Sequence, residues 1–282
     1  MLYSNHIINT AYSNMTSKGL LQLWAQIIGK PYGDRYLLSE SVKTIKGTKK
    51  GYNTGVLYMT PAVRIGDVAT CSHHKVGNCA GPCLVNSGHM ALKGAIDARA
   101  DRLQLLIKNP SLFYEILKRE CEGLKRRSKL IRFRTAGRLN GTTDLDWTRI
   151  LFNGKTIFQR IKGLKWYDYT KSPSLASNYQ AAGISITFSW YRKADPINVL
   201  ALLDRGVNIA IAYRDKLPTV QRILDRTVTV INGDDSDLRF RDQRGVVVGL
   251  KYKFATMSKN SAEINARALE SGFIILSSEV IS

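Results

Sequence analysis

The sequence predicts an α/β protein with a mostly parallel β/α architecture, of which an incomplete (β/α) barrel is one form. Three observations support this prediction. Short apolar segments suited to buried strands recur along the chain after residue 50. Several of them are separated by about 20 to 35 residues, which leaves room for a crossover helix. The 282-residue chain is 44% hydrophobic, enough to fill the core of one large domain or of two smaller ones.

The strand candidates are short apolar runs bounded by polar or turn-forming residues. They comprise residues 56–59, 131–135, 165–169, 184–188, 207–212, 228–231 and 246–250. The interval between the last two candidates is too short for a comfortable crossover helix, so we expect a hairpin there.

Helical periodicity predicts four helices, at residues 20–28, 90–108, 110–128 and 196–205. Asn109 suits the N-cap of the third helix, and Pro110 suits its first helical position. Cys121 falls in the apolar stripe of that helix, which predicts a small core residue rather than a metal ligand.

Composition divides the chain into an N-terminal extension, residues 1–50, and a β/α domain, residues 51–282, that carries a cysteine loop. The basic segment 43–51 is typical of a solvated linker. The first residues lack the basic and apolar regions of a secretory signal, and no apolar run reaches the roughly 18 residues needed to cross a bilayer. We therefore expect a cytoplasmic protein that does not enter a membrane.

The charge balance is strongly basic. The chain has 42 Lys and Arg against 22 Asp and Glu, which gives a formal net charge of +20. This predicts a polyanionic partner, either a nucleic acid or a phosphorylated substrate. A surface charge that only keeps the protein in solution is the alternative, and the composition leaves the oligomeric state open.

Three cysteines, Cys71, Cys79 and Cys83, fall within one thirteen-residue segment that follows the first strand candidate of the β/α domain. Thiolates that converge from a loop with Gly and Pro suit a soft metal ion or an iron–sulfur cluster, and three protein ligands leave one position open for chemistry. Four cysteines in all are too few for a disulfide scaffold. We therefore predict that these three residues bind metal.

Two other interpretations of the cysteines stay open. His73, His74 and His89 lie in or just after the segment, so one of them can complete a Cys₃His zinc site. Alternatively, the thiols form a redox centre without metal, with Lys75 lowering a thiol pKa.

Polar residues follow several predicted strands, and the carboxyl ends of parallel strands share one edge of a sheet. We predict catalytic roles for Asp144, Asp168 and Lys171 at this edge. We predict cofactor binding by four further residues: Asn140, Ser189, Asp234 and Asp237.

Each of these positions also has an ordinary explanation. Asn140-Gly141 and Gly233-Asp234 are turn formers, and Asp144 suits the N-cap of a helix. The carboxylates at 234–237 can instead belong to a structural network with Arg239 and Arg241, or to a site for a hard metal ion.

The order of these motifs resembles an uncharacterised family found in bacteriophages and plasmids. The similarity covers roughly residues 52 to 255. It rests on Thr70-Cys71, Cys79, Cys83-Leu84, Arg138–Asp144, Tyr167–Lys171, Asn178-Tyr179, Thr187–Ser189 and Gly233–Phe240. This resemblance implies a protein that works in the bacterial host cell.

More distantly, three cysteines after the first strand of a β/α chain resemble radical S-adenosylmethionine enzymes, in which three thiolates hold a [4Fe–4S] cluster and S-adenosylmethionine occupies the open iron. The resemblance implies that Cys71, Cys79 and Cys83 are cluster ligands and that polar strand-end residues hold the cofactor. The spacing differs, because seven and then three residues separate these cysteines, whereas that family usually has three and then two.

Two functional hypotheses follow. The first is an iron–sulfur, radical-S-adenosylmethionine-like enzyme that acts on a nucleic acid or nucleotide. The alternative is a non-enzymatic, zinc-containing nucleic-acid-binding protein of a phage or plasmid.

Overall fold

The computed structural model describes residues 2–79, 81–86, 88–254 and 261–282. The strands are β1 (Asn5–His6), β2 (Leu38–Ser39), β3 (Tyr52–Leu57), β4 (Arg64–Ile65), β5 (Val68–Ala69), β6 (Arg134–Arg138), β7 (Leu151–Phe152), β8 (Lys155–Thr156), β9 (Lys165–Thr170), β10 (Ser185–Ser189), β11 (Asn208–Tyr213), β12 (Val220–Ile223), β13 (Arg226–Asn232) and β14 (Val247–Lys251). The α-helices are α1 (Ser17–Ile28), α2 (Val42–Ile45), α3 (Lys93–Lys108), α4 (Pro110–Leu130), α5 (Ile157–Arg160), α6 (Pro173–Ala181), α7 (Pro196–Asp204) and α8 (Ser261–Glu270).

Nine strands form one large sheet in the order β12-β13-β14-β11-β10-β9-β6-β3-β2. Only the two edge pairs, β2–β3 and β12–β13, are antiparallel. The predicted mostly parallel α/β architecture is therefore confirmed. Among the described strands the order is open, so no closed barrel is present.

Six of these strands, β3, β6, β9, β10, β11 and β14, are neighbours in the same order in which they occur along the chain, and all five pairs are parallel. Helices connect most of them, since α3 and α4 follow β3, α6 follows β9 and α7 follows β10. Consecutive parallel strands joined by helices are the repeating unit of a (β/α) barrel.

The predicted hairpin between residues 231 and 246 is wrong. β13 and β14 are parallel, with Ile231 paired to Val248. Between the two strands, the chain must therefore cross back to the edge of the sheet at which the parallel strands begin. A short 3-10 helix, Arg239–Arg241, lies in this return. The hairpin instead joins β12 and β13, where Leu224 adopts a positive φ of 52° in the tight turn.

The chain forms two compact units. The first comprises Met1–Thr70 and Ile96–Trp166, and the second comprises Cys71–Ala95 and Tyr167–Ser282. The division falls within β9, whose first two residues pair with β6 and whose later residues pair with β10. The predicted boundary at residue 50 stays a prediction. The predicted linker is helical in part, since α2 and a 3-10 helix, Lys46–Lys50, occupy it.

The core of the first unit is built around α4. Asn109 caps this helix by accepting a hydrogen bond from the Leu112 backbone N–H at 3.0 Å, and Pro110 begins it, as predicted. The predicted apolar stripe is buried, and Cys121 within it is fully buried. This confirms Cys121 as a core residue.

Helices α6 and α7 of the second unit begin in the same way. Ser172 and Asp195 cap them through their side chains, and a proline occupies the first turn of each. Their buried faces include Tyr179 and Leu202.

Among the described residues, no helix has both the length and the apolar composition that a membrane crossing requires.

Glu120 on α4 is an acidic side chain held inside the first unit. Its carboxylate accepts hydrogen bonds from the backbone N–H groups of Leu37 at 2.8 Å and Leu38 at 2.7 Å. Burial raises the pKa of Glu120 to about 7, although these two hydrogen bonds and the charges of Arg102 and Arg127 act in the opposite direction.

This raised pKa predicts a pH-dependent stability. The contribution of Glu120 is fully present below its ordinary pKa of 4.5 and is lost as the pH rises through about 7. At about 1.4 kcal/mol for each pKa unit, the free energy of unfolding should fall by about 3 kcal/mol over this window, relative to the Glu120→Gln variant.

Urea unfolding of the wild type and of Glu120→Gln at several pH values measures this difference. Glu122→Gln, on the same helix, is the matched control and should keep the wild-type pH dependence. Parallel pH profiles for the wild type and Glu120→Gln would contradict the prediction.

Candidate functional site

The three-cysteine segment lies in the second unit. Residues 72–78 form turns rather than a helix or a strand. Cys71, Cys79 and Cys83 are each partly exposed, and none of the four cysteines, all of which are described, forms a disulfide. The three thiols are therefore reduced and partly accessible to solvent.

Local hydrogen bonds hold the first half of this segment. His74 Nδ1 lies 2.7 Å from the backbone carbonyl of Cys71, so this nitrogen carries the proton and donates it. The Cys79 thiol lies 3.6 Å from the backbone carbonyl of His74, to which it donates. Cys71, His74 and Cys79 are thus joined through two backbone carbonyls.

Lys171, which follows directly after β9, occupies the centre of the site. Its Nζ donates to the Trp190 carbonyl at 3.0 Å, to the Ser189 hydroxyl at 3.3 Å and to the Ser189 carbonyl at 3.4 Å. The same Nζ lies 5.1 Å from the ring centre of Phe273 and 5.6 Å from that of Tyr191. The ammonium is therefore held by the end of β10 and by two aromatic rings.

The cysteine segment approaches the aliphatic part of the Lys171 side chain closely at Gly77. A Cβ atom at Gly77 would lie 2.8 Å from Lys171 Cδ and 3.0 Å from the His73 carbonyl, which is too close for a real side chain. The His73 ring lies 6.3 Å from that of Tyr191. Glycine at position 77 thus lets the segment lie against Lys171, at the carboxyl end of β9.

The electrostatics of the site favour a neutral imidazole. Burial, and then the positive charge of Lys171, lowers the pKa of His73. Burial also raises the pKa of Tyr191. His73 therefore has a free base form available at neutral pH, which suits a proton acceptor.

Within the described residues, no group of three or more His, Cys, Asp or Glu side chains lies close enough to hold a metal ion. The donor set of three thiols suits a soft metal, but it is not assembled in advance in this part of the chain. Metal binding by Cys71, Cys79 and Cys83 stays a prediction.

The other predicted residues of the second unit contact different strands of the sheet. Asp234 accepts a hydrogen bond from the Lys251 backbone N–H at 2.8 Å, which places it at the carboxyl end of β14. Asp237 is buried and accepts from the Tyr167 hydroxyl at 2.8 Å. Because Tyr167 pairs with Ser185, Asp237 contacts the sheet near the beginning of β10 rather than at its end.

Asp168 is fully buried within β9, where it pairs with Ile186. An Asp–Arg contact exists near 237, but it joins Arg239 Nη1 to Asp242 Oδ2 at 3.2 Å. Of the predicted site residues in this unit, the structure therefore brings Lys171 and Ser189 together beside the cysteine segment.

Asn140 and Asp144 belong to the first unit. Asn140 Oδ1 accepts from the backbone N–H of Leu145 at 3.0 Å and from the Trp147 indole at 3.2 Å, and its Nδ2 donates to the Leu145 carbonyl at 2.9 Å. The Asp144 backbone N–H donates to the Thr70 carbonyl at 2.6 Å, and the described residues 145–150 form no helix for Asp144 to cap. These contacts give Asn140 a role in holding its own loop.

Three residues around the ammonium were not predicted from the sequence. Tyr191 and Trp190 follow Ser189 directly, so their place at the strand end was a usable signal. Phe273 comes from the C-terminal segment, and no local pattern points to it.

The electrostatic interaction of Lys171 with His73 predicts a measurable change in the pKa of His73. The Lys171→Gln substitution removes the positive charge, so the pKa of His73 should rise toward its ordinary value. An NMR titration of the histidine ring protons measures this change. Lys193→Gln, an exposed position just beyond β10, is the control and should leave the titration unchanged. An unaltered His73 titration in Lys171→Gln would refute the proximity.

Comparison with known proteins identifies a family. The family model described as Gene product 88 matches residues 36–274, which is more than half of the chain. The comparisons with curated proteins and with solved structures give no significant match. The match includes the cysteine segment, Lys171 and Ser189, in agreement with the predicted resemblance to a family of the phage type. The chain belongs to the Gene product 88 family.

Proposed function

We propose that this protein is an iron–sulfur, radical-S-adenosylmethionine-like enzyme that acts on a nucleic acid or nucleotide in the cytoplasm of a bacterial host. The observation that carries the proposal is the position of the three-cysteine segment. It follows β3, the first of six consecutive parallel strands, and packs against the strand ends beside Lys171.

The order of the strands supports an active site at the cysteine segment. In folds built from consecutive parallel strands and helices, the loops after the strands form the active site. The cysteine segment is such a loop, and Lys171 and Ser189 lie at two further strand ends of the same series. A thiol-bearing loop at this edge is placed where chemistry occurs in such folds.

The side chains of the site suit binding and proton transfer. A bound [4Fe–4S] cluster would supply one-electron chemistry through an iron with an open position. Lys171 can hold an anionic group of a substrate in place of its present contacts with Ser189 and Trp190. The neutral ring of His73 can accept a proton from a group bound there.

The substrate class follows from charge. A formal net charge of +20 attracts polyanions over distances limited by ionic screening. Lys75 is exposed in the cysteine segment itself, so it can contact a phosphate that approaches the site. A nucleic acid or nucleotide carries negative phosphate groups, which complement both the net positive charge of the chain and the exposed Lys75.

The second candidate is a zinc-containing nucleic-acid-binding protein, and His74 specifically favours it. Because His74 Nδ1 donates to the Cys71 carbonyl, the lone pair of the neutral ring lies on Nε2. Metal-binding histidines usually have their second ring nitrogen hydrogen-bonded in this way. Cys71, Cys79, Cys83 and His74 would then form a closed Cys₃His site without an open position.

Metal analysis distinguishes the two candidates. Protein purified without oxygen, and reconstituted with iron and sulfide, should contain about four iron atoms and four sulfides per chain. Alanine substitution of Cys71, Cys79 or Cys83 should remove most of this iron and the associated visible absorption. The measurements are iron and sulfide content, visible absorption and electron paramagnetic resonance spectra.

Cys121→Ala is the matched control, because Cys121 is fully buried in α4 and should not affect the iron content. Circular dichroism checks that each variant is folded. A colourless sample without iron or sulfide after reconstitution overturns the enzyme proposal. One zinc per chain, lost in the same three variants, would support the second candidate instead.

Nucleic-acid binding is tested separately by fluorescence anisotropy at several salt concentrations. Affinity for duplex DNA should fall with salt, with a slope of about 0.9 in log units for each phosphate neutralised. Lys75→Gln removes about one phosphate contact, so it should reduce the magnitude of this slope by about 0.9. Lys18→Gln, at an exposed position on α1, serves as the comparison. Binding that is absent, or insensitive to salt, argues against a nucleic-acid substrate under either candidate.

A further inference from the structure

The first unit contains a pocket that the proposed function does not use. It has a volume of about 390 Å³ and lies between α1, α4 and the segment around β2 and β3. This volume falls in the range of small-molecule sites. Leu21, Leu38 and Ile116 are among the apolar residues that line it.

A buried hydroxyl lines the pocket and has no partner of its own. Thr54, on β3, is 1% exposed. Its Oγ1 forms no hydrogen bond with any residue in the described part of the chain. A buried polar atom without a hydrogen bond destabilises the folded protein. Its presence at a cavity wall therefore indicates a bound group that forms the missing hydrogen bond with Thr54 Oγ1.

The charges around the pocket are mainly positive. Four arginines line it against two glutamates. Arg119 is committed to Glu115 at 2.7 Å, and Arg35 donates to two backbone carbonyls. Arg126 and Arg127 are exposed and form no ion pair or hydrogen bond with any residue that the structure describes. Arg127 also interacts electrostatically with Glu120 in the pocket wall, but neither guanidinium group is committed to any described carboxylate at ion-pair distance, so both can pair with an anion.

An aromatic surface lies beside them. Tyr36 lines the same pocket and is 60% exposed, so its ring is accessible to a ligand bound there. Gly123 also lines the pocket, and a side chain there would lie 3.4 Å from an Arg127 guanidinium nitrogen.

We propose that this pocket binds a small organic anion with an aromatic body. The anionic group pairs with Arg126 and Arg127, the apolar rings lie against Leu21, Leu38 and Ile116, and a polar hydrogen of the ligand donates to Thr54 Oγ1. The site is independent of the cysteine segment, and the inference stands whether or not the proposed function is correct.

Two fluorescent probes test this assignment. 8-Anilinonaphthalene-1-sulfonate has a sulfonate, two aromatic groups and an amine hydrogen, and N-phenyl-1-naphthylamine is the same molecule without the sulfonate. The full-length wild-type protein should bind the sulfonate probe at one saturable site. The Arg126→Ala/Arg127→Ala double variant should weaken this binding about tenfold and change binding of the neutral probe by less than about twofold.

The Lys129→Ala/Arg132→Ala double variant is the charge-matched control. Lys129 is at the end of α4 and Arg132 follows it, and both line a different surface pocket. This control should bind the sulfonate probe as the wild type does. Equal weakening in both double variants, or no weakening in the first, overturns the proposal because the net charge alone then explains binding.

Thr54→Val tests the role of the Thr54 hydroxyl in the pocket wall. Valine has the same shape without the hydroxyl, so the variant should bind both probes several-fold more weakly while its melting temperature stays the same or rises. Unchanged affinity for both probes in a folded Thr54→Val protein overturns the assignment to this pocket.

Discussion

The contacts of the Lys171 ammonium determine the arrangement of the candidate site. A partly buried positive charge must be surrounded by oxygen atoms or aromatic rings, because its loss of water is otherwise unfavourable. Lys171 satisfies this need with the carbonyls of Ser189 and Trp190 and with the rings of Tyr191 and Phe273. These contacts join the end of β9, the end of β10 and the C-terminal segment around one charge.

The cysteine segment depends on this same arrangement. Gly77 lies against the aliphatic part of Lys171, where a larger residue would not fit. The charge of Lys171 in turn acts on His73 and favours its neutral form. The three thiols are therefore carried by a segment that lies against Lys171 at Gly77. Metal binding by these thiols stays a prediction.

The basic composition of the chain has more than one structural outcome. The charge of Lys171 is stabilised within its own unit by carbonyl groups and aromatic rings. The charge of Arg119 is stabilised within its unit by the Glu115 carboxylate. Arg126 and Arg127 remain available at the pocket of the first unit. Net charge alone therefore predicts an anionic partner but does not say where an anion binds. That location depends on which side chains the fold has already neutralised.

The sequence by itself determined the periodic and local features of this protein. The parallel β/α architecture, the cap at Asn109 and the buried stripe through Cys121 all follow from short-range patterns. Only the tertiary structure decided the parallel register of β13 and β14, the separation of Asp237 from the strand ends and the place of Phe273 beside Lys171. The physical reason is that these features join residues far apart in the chain, where the closing contacts depend on packing and leave no local signal.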